Sequence, residues 1–192
     1  MLKVVSGSAK GTLLLDVNKE TTRPITSRIK TSLFDKLQFF IADEKIADLY
    51  SGTGSMGIEA LSRGASYCDF VDIDTDCTEI IKKNLEKTKF ADKANVFRGT
   101  VREFIAKHTT PDSYRAILYD PPFPIVKDSY DQITSELISM IPLLKSEGAV
   151  IFRHPQNFYK SMAEYEVISQ KEYGINQITI LTPLLTTVDQ DG

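Results

Sequence analysis

Lys45-Ile46-Ala47-Asp48-Leu49-Tyr50-Ser51-Gly52-Thr53-Gly54-Ser55-Met56-Gly57 is the stretch that decides the fold. Lys45 to Tyr50 reads as a buried parallel strand, and Ser55 to Arg63 as the helix it feeds. Between them Gly52, Gly54 and Gly57 match the G-x-G-x-x-G fingerprint of a turn whose backbone comes close to a ligand. The fingerprint fits NAD and other adenosine-bearing cofactors alike. Two details of this loop favour S-adenosylmethionine. Asp48 lies in the strand end, four residues before Gly52, where a carboxylate can face an amino-acid ammonium but would repel a pyrophosphate. No Lys or Arg lies between Lys45 and Arg63 to neutralise phosphate. The expected cofactor contacts here are Asp48, Ser51, Gly52 and Gly54.

A second strand, Tyr67 to Asp72, ends in Val71-Asp72-Ile73-Asp74. Asp72 can accept from both ribose hydroxyls, a role that NAD and S-adenosylmethionine sites share. Asp74 reads as the N-cap of the next helix. Ile73, and Val101 after the third strand, can sandwich an adenine; both would also serve in an ordinary core.

Asp120-Pro121-Pro122-Phe123 follows the apolar run Ala116 to Tyr119 and so sits at a strand's carboxyl end, where open α/β sheets place their ligand crevice. Two prolines remove two backbone donors and leave their carbonyls, so the turn is rich in acceptors. Phe123 adds a flat face. The set suits a planar group with an exocyclic amine: the amine donates to Asp120 and the Pro121 carbonyl while the ring stacks on Phe123.

Around these motifs strands and helices alternate, which argues for a parallel sheet covered on both faces. A small hairpin is expected from Leu2 to Ser6 and Thr12 to Leu15, then a helix capped by Thr26 or Ser27 with Ile29, Leu33, Phe34, Leu37 and Ile41 on its apolar face. Asp74 to Lys89 is helical, with Cys77, Ile80, Ile81 and Leu85 inward. Asn95 to Arg98 is a strand, Val101 to His108 a helix, and Ser129 to Leu144 a helix burying Ile133, Leu137, Ile138 and Ile141. Gly148 to Phe152 is the fifth strand, and Glu164 to Gln170 with Gln177 to Leu181 form a closing hairpin.

The chain has 192 residues, 42% hydrophobic and 26% charged, which suits one soluble domain: residues 1–24 a hairpin and extended arm, residues 25–185 the core. Cys68 and Cys77 have no metal or redox spacing, and no metal site is expected. No signal peptide or spanning segment is read, so the expected location is the cytoplasm. The net charge of −3 counts against nucleic acid as partner. Residues 1–36, however, carry seven basic against three acidic side chains, a surplus of +4 set against −7 for the remainder. A basic arm on an acidic body fits a domain that touches a polyanion at one end, with Lys10, Arg23 and Arg28 the best contacts and Arg153 a further candidate at the fifth strand's end, where His154 follows it.

Three segments carry a resemblance: Thr22-Arg23-Pro24-Ile25-Thr26-Ser27-Arg28 running into Leu33-Phe34, Asp48 through Ala65, and Asp120 to Phe123. With them the chain resembles the RsmD-type guanine-N2 methyltransferases of bacterial small-subunit (16S) ribosomal RNA, within the class I S-adenosylmethionine-dependent methyltransferases. The resemblance implies a Rossmann-like, mostly parallel sheet of seven strands with the last antiparallel. It implies methyl transfer to guanine N2, a ribosomal RNA partner within a small-subunit assembly particle, and a monomer. It departs from the family where an Asn or Asp usually reads the adenine amine: Thr100 stands there, and either its hydroxyl or the backbone takes that cofactor contact, or Thr100 is a plain helix cap. The residues alone leave open methylation of adenine N6 or of a protein glutamine, an NAD-dependent oxidoreductase, and a non-catalytic RNA-binding assembly factor.

Overall fold

The computed structural model of the chain describes residues 2–17, 25–107, 110–159 and 161–184. Arg23 and the rest of the Thr22–Pro24 segment lie outside the described residues, as does His108. The elements run α1 (Ser27–Ile41), β1 (Lys45–Leu49), α2 (Ser55–Ser62), β2 (Tyr67–Asp72), α3 (Thr75–Thr88), β3 (Ala94–Arg98), α4 (Val101–Lys107), β4 (Tyr114–Tyr119), α5 (Phe123–Asp128), α6 (Tyr130–Met140), β5 (Leu144–Pro155), β6 (Tyr165–Tyr173) and β7 (Asn176–Pro183).

The seven strands form one sheet in the order β3-β2-β1-β4-β5-β7-β6. β1 pairs in parallel with β2 and β4, β2 with β3, and β4 with β5, while β7 runs antiparallel to both β5 and β6. The strand order reverses between β1 and β4, so a crevice opens outside their carboxyl ends. The cores of the two faces follow from strand alternation. Ile46 of β1 packs with Ile29 and Phe34 of α1, Ile58 of α2 and Ile81 of α3. Ala47 and Leu49 face the other way, with Phe104 of α4, Val126 of α5, and Ile133 and Leu137 of α6. Asp48 therefore points to the α2 side, where it meets Gly57.

The expected apolar face of α1 is buried in full, and Thr26 caps the helix by accepting from the Ile29 N–H. Elsewhere the structure corrects the sequence reading. α6 ends at Met140, ahead of a 3-10 turn at Ile141–Leu143, because Pro142 has no N–H to continue the ladder. Ile138 is 40% exposed, and Glu136 and Met140 are buried in its stead. Ile80 of α3 is half-buried, while Asn84 and Thr88 are inside. The short helix α5, immediately after the two prolines, was not expected.

The N-terminal hairpin is reduced to a single antiparallel bridge, Lys3 to Leu13. The Val4, Gly11 and Leu14 N–H groups still donate across it, to the Thr12, Val4 and Leu2 carbonyls, while other backbone groups pair with side chains of the body. The N–H groups of Val5 and Ser6 donate to the Glu59 carboxylate at 2.7 and 3.0 Å, and that of Leu15 donates to Asn84 Oδ1 at 2.7 Å. Glu59 is completely buried and also accepts from Arg63 Nε at 2.9 Å, with Lys30 Nζ 3.5 Å away. Lys30 Nζ donates to the Lys3 carbonyl at 2.8 Å. Burial lowers the Lys30 pKa, and Glu59 opposes that shift. Lys30 is therefore an internal latch for the hairpin, not part of a basic surface.

Candidate cofactor and base site

The carboxyl ends of β1, β2, β4 and β5 meet around the strand-order reversal. Ser51 ties the first two together: its N–H donates to the Val71 carbonyl at 3.0 Å, and its hydroxyl accepts from the Val71 N–H at 2.8 Å and donates to the Asp48 carbonyl at 2.5 Å. The loop then turns through Gly52 (φ 55°) and Gly54 (φ 75°), the second in the left-handed conformation that opens α2. A Cβ on Gly52 would meet nothing within 4 Å, so the loop faces open space there. A Cβ on Gly57 would lie 2.4 Å from the Phe70 ring, so this glycine lets α2 pack directly on β2.

Two carboxylates brace this loop. Asp48 is 1% exposed, and its Oδ2 accepts from the Gly57 N–H at 2.8 Å. Burial pushes its pKa well up; the Gly57 N–H opposes this, and Asp120 and Asp72 nearby add to it. Among the described residues no Lys or Arg pairs with Asp48. Asp72 accepts from the Gly52 N–H at 2.8 Å through one oxygen and from the Asp74 N–H at 2.9 Å through the other, and burial raises its pKa as well. Each oxygen keeps a lone pair for a further donor. Ile73, beside Asp72, is 65% exposed, an apolar shelf at the rim. A buried carboxylate without a cation, an open glycine turn, an acceptor pair and an apolar rim fit S-adenosylmethionine. They fit a pyrophosphate poorly.

Asp120 stands at the end of β4, its N–H donating to the Leu49 carbonyl at 3.3 Å, one strand away from the glycine loop. Tyr119 pairs with Phe152 in the register of β4 and β5, so Arg153 is level with Asp120. Arg153 Nε donates to Asp120 Oδ1 at 2.6 Å, and the guanidinium lies over the Phe123 ring, 5.4 Å from its centroid. Burial raises the Asp120 pKa and Arg153 opposes the rise. Pro121 is buried and Pro122 exposed.

Several sequence expectations land differently. Arg153 is bound within the crevice and is not free for phosphate. His154 is completely buried, its Nε2 2.8 Å from Thr179 Oγ1 and its ring against Phe152, so it cannot meet RNA. Val101 is 2% exposed within the core, which leaves Ile73 alone at the rim. Thr100 forms a capping box: its N–H donates to Glu103 Oε2 at 2.8 Å and its Oγ1 accepts from the Glu103 N–H at 3.1 Å. Lys10 and Arg28 are exposed.

Sequence reasoning missed the support behind the crevice. Glu136 of α6 is buried and accepts from Tyr119 Oη at 2.7 Å, Tyr50 Oη at 3.1 Å and Gln132 Nε2 at 2.9 Å. The two tyrosines close β4 and follow β1, directly before Asp120 and Ser51. Tyr50 is held in the left-handed region (φ 61°) at the start of the glycine loop, a conformation that costs of order 1–3 kcal/mol for a non-glycine residue. The available signal was a tyrosine at each of two adjacent strand ends, whose hydroxyls need a buried partner.

The family model described as "Conserved hypothetical protein 95" matches residues 2–182. Among curated relatives, the Bacillus subtilis protein named "Putative rRNA methyltransferase YlbH" is 30% identical over 184 residues, covering 93% of this chain and 97% of that one. The Haemophilus influenzae "Ribosomal RNA small subunit methyltransferase D" is 31% identical over 123 residues, and the match spans 64% of each chain. Among solved structures, "Putative methyltransferase yhhF from Escherichia coli" superposes with a TM-score of 0.80 at 23% identity, covering 94% of this chain and 97% of that one, which shows a common fold. Among the described residues there is no cluster of three metal-ligating side chains and no helix long and apolar enough to cross a membrane.

Proposed function

The chain belongs to the conserved hypothetical protein 95 family, the RsmD-type methyltransferases, and we propose that it methylates the exocyclic N2 amine of a guanine in small-subunit ribosomal RNA. The observation that carries this reading is the pairing of two unlike carboxylates across the strand-order reversal. Asp48 is buried without a cation beside the glycine turn, and Asp120 stands one strand away next to Phe123. Residues 25–185 form the catalytic core, and residues 1–24 the arm that meets RNA.

S-adenosylmethionine, when bound, supplies an electrophilic methyl group; Asp48 would hold its ammonium, Asp72 its ribose hydroxyls, and Ile73 would cover its adenine. Asp120 and the Pro121 carbonyl hold the hydrogens of the base amine and aim its lone pair. Guanine N2 is a poor nucleophile because that lone pair is delocalised, so alignment supplies much of the rate. The Asp120 carboxylate also stabilises positive charge that develops on the nitrogen. Phe123 fixes the plane of a base that has left its stack. Glu136 serves at a distance, holding Tyr50 and Tyr119 so that both strand ends keep their positions.

The test is transfer of a tritiated methyl group to protein-free rRNA, to small subunits and to DNA, followed by nucleoside analysis, for the native protein and for Asp120→Ala. N2-methylguanosine from rRNA or subunits, lost in the variant while cofactor affinity holds, supports the reading. Methylated adenine, or an alanine variant as active as the parent, refutes it.

A further inference from the structure

Arg153 occupies two of the groups that the proposed function gives to the incoming base, Asp120 and Phe123. Its Nε–H donates to Asp120 Oδ1 at 2.6 Å, and its guanidinium lies over the Phe123 face at 5.4 Å from the centroid. On its other side Nη1 donates to Asn176 Oδ1 at 3.1 Å. A planar group therefore puts one N–H on the acceptor and its face on the flat ring at once, as a base amine and its ring would.

We infer that Arg153 is an internal stand-in for the base, a side chain that an incoming base must displace from Asp120 and Phe123. This rests on the proposed base site and deepens it. A base that gives Asp120 a donor and lays its face on Phe123 replaces what Arg153 gives up; a group that does neither leaves a partly buried ion pair broken. The Asp120 and Arg153 side chains are 21% and 16% exposed, so the pair is shielded enough for its loss to count. The stand-in also keeps the carboxylate paired and the Phe123 face covered when no base is present.

The experiment compares native protein, Arg153→Ala and Arg153→Lys, with methylguanidinium as the probe. By ligand-observed NMR, without RNA, millimolar methylguanidinium binds the alanine and lysine variants at the vacated place and does not bind native protein. Lysine keeps the charge but lacks the planar fork, so it behaves like alanine in this assay. In methyl transfer to the RNA substrate, the alanine variant shows a KM for RNA lower by about three- to tenfold with kcat retained, because the closed form no longer withholds the site. Methylguanidinium then inhibits that variant competitively with RNA, while sodium chloride at equal ionic strength does not. The inference is overturned if neither variant binds methylguanidinium, if only the alanine variant does, or if Arg153→Ala raises KM or lowers kcat. The last result would make Arg153 a substrate contact. Binding of the probe with no guanine methylation by native protein would sink the proposed reaction while leaving the stand-in geometry intact; guanine methylation with no probe binding would do the reverse.

Discussion

Asp48→Asn should make this protein more stable and worse at binding its cofactor. Asp48 is 1% exposed and has one backbone donor, the Gly57 N–H at 2.8 Å. Burying a carboxylate costs several kcal/mol, and a hydrogen bond to it returns only about 1.5–3 kcal/mol. Asparagine keeps an oxygen for Gly57 and sheds the charge, so the folded state without cofactor should gain about 1–2 kcal/mol. For a chain of this size that is a rise of about 2–8 °C in Tm. The same change removes the charged partner proposed for the cofactor ammonium, so affinity should fall by about 1.5–3 kcal/mol, roughly 10- to 150-fold in Kd. The pH dependence has an unusual sign. Because the folded-state pKa of Asp48 is raised, the folded state holds a proton that the unfolded chain has released. Between the ordinary carboxylate value and the raised one, stability therefore falls as pH rises, and Asp48→Asn should lose this slope. Urea titrations of both proteins across the acid range measure the stability, and calorimetry with S-adenosylmethionine measures the affinity. A variant that is less stable than its parent and binds the cofactor equally well would refute the reasoning, and Asp48 would then be only an anchor for α2.

Asp72→Ala should weaken S-adenosylmethionine by about 1.5–3 kcal/mol, the range for hydrogen bonds to a charged acceptor, and should loosen the Gly52 turn that Asp72 holds; unchanged calorimetric affinity would remove it from the site. Glu59→Ala leaves Lys30 with only the Lys3 carbonyl and Arg63 with only Asp35, and it unpairs the N–H groups of Val5 and Ser6, so unfolding in urea should show a loss of about 3–5 kcal/mol; a loss below about 1 kcal/mol would mean the hairpin is held elsewhere. Arg23→Ala with Arg28→Ala should flatten the log–log salt dependence of RNA binding by about one unit for each phosphate no longer neutralised; an unchanged slope would move the RNA surface away from the arm, and not to the buried His154.

The sheet, its order of elements and the crevice are legible in the chain because each rests on a local pattern. The Lys45–Gly57 stretch makes a strand, a glycine turn and a helix by periodicity and backbone freedom alone, and Asp120-Pro121-Pro122 marks a strand end by losing two donors. Buried faces and pairings fail where a nonlocal partner decides them. Nothing near Ile138 says that it faces solvent while Glu136 is buried; Tyr50 and Tyr119, 86 and 17 residues away in sequence, pull the carboxylate inward. The apolar residues of the hairpin suggest longer strands, but Glu59 and Asn84 take the N–H groups that a longer ladder would have used. Arg153 reads as a phosphate contact because a cation at a strand end usually faces water. Its partner, Asp120, lies 33 residues earlier, and only the register of β4 on β5 brings them level.

Charge counted along a sequence differs from charge available at a surface. Of the seven basic side chains in residues 1–36, Lys30 is buried against Glu59, and in the body Arg63 and Arg153 are also committed to carboxylates. The cations left to face phosphate are thus fewer than the composition suggests, on a chain already at −3. Electrostatic affinity for bare nucleic acid grows with the number of phosphates neutralised, so it must be low here. Base capture at Asp120 and Phe123 is local and does little to hold a long polyanion. A site of this kind favours a substrate that presents its guanine already unstacked and already positioned, so that little binding energy is spent on melting structure. We expect a folded ribonucleoprotein to be methylated faster than protein-free rRNA, and equal single-turnover rates for the two would count against this reading. If RNA meets the arm and the crevice rim, as proposed, the acidic body repels it elsewhere and a weak binder becomes a selective one.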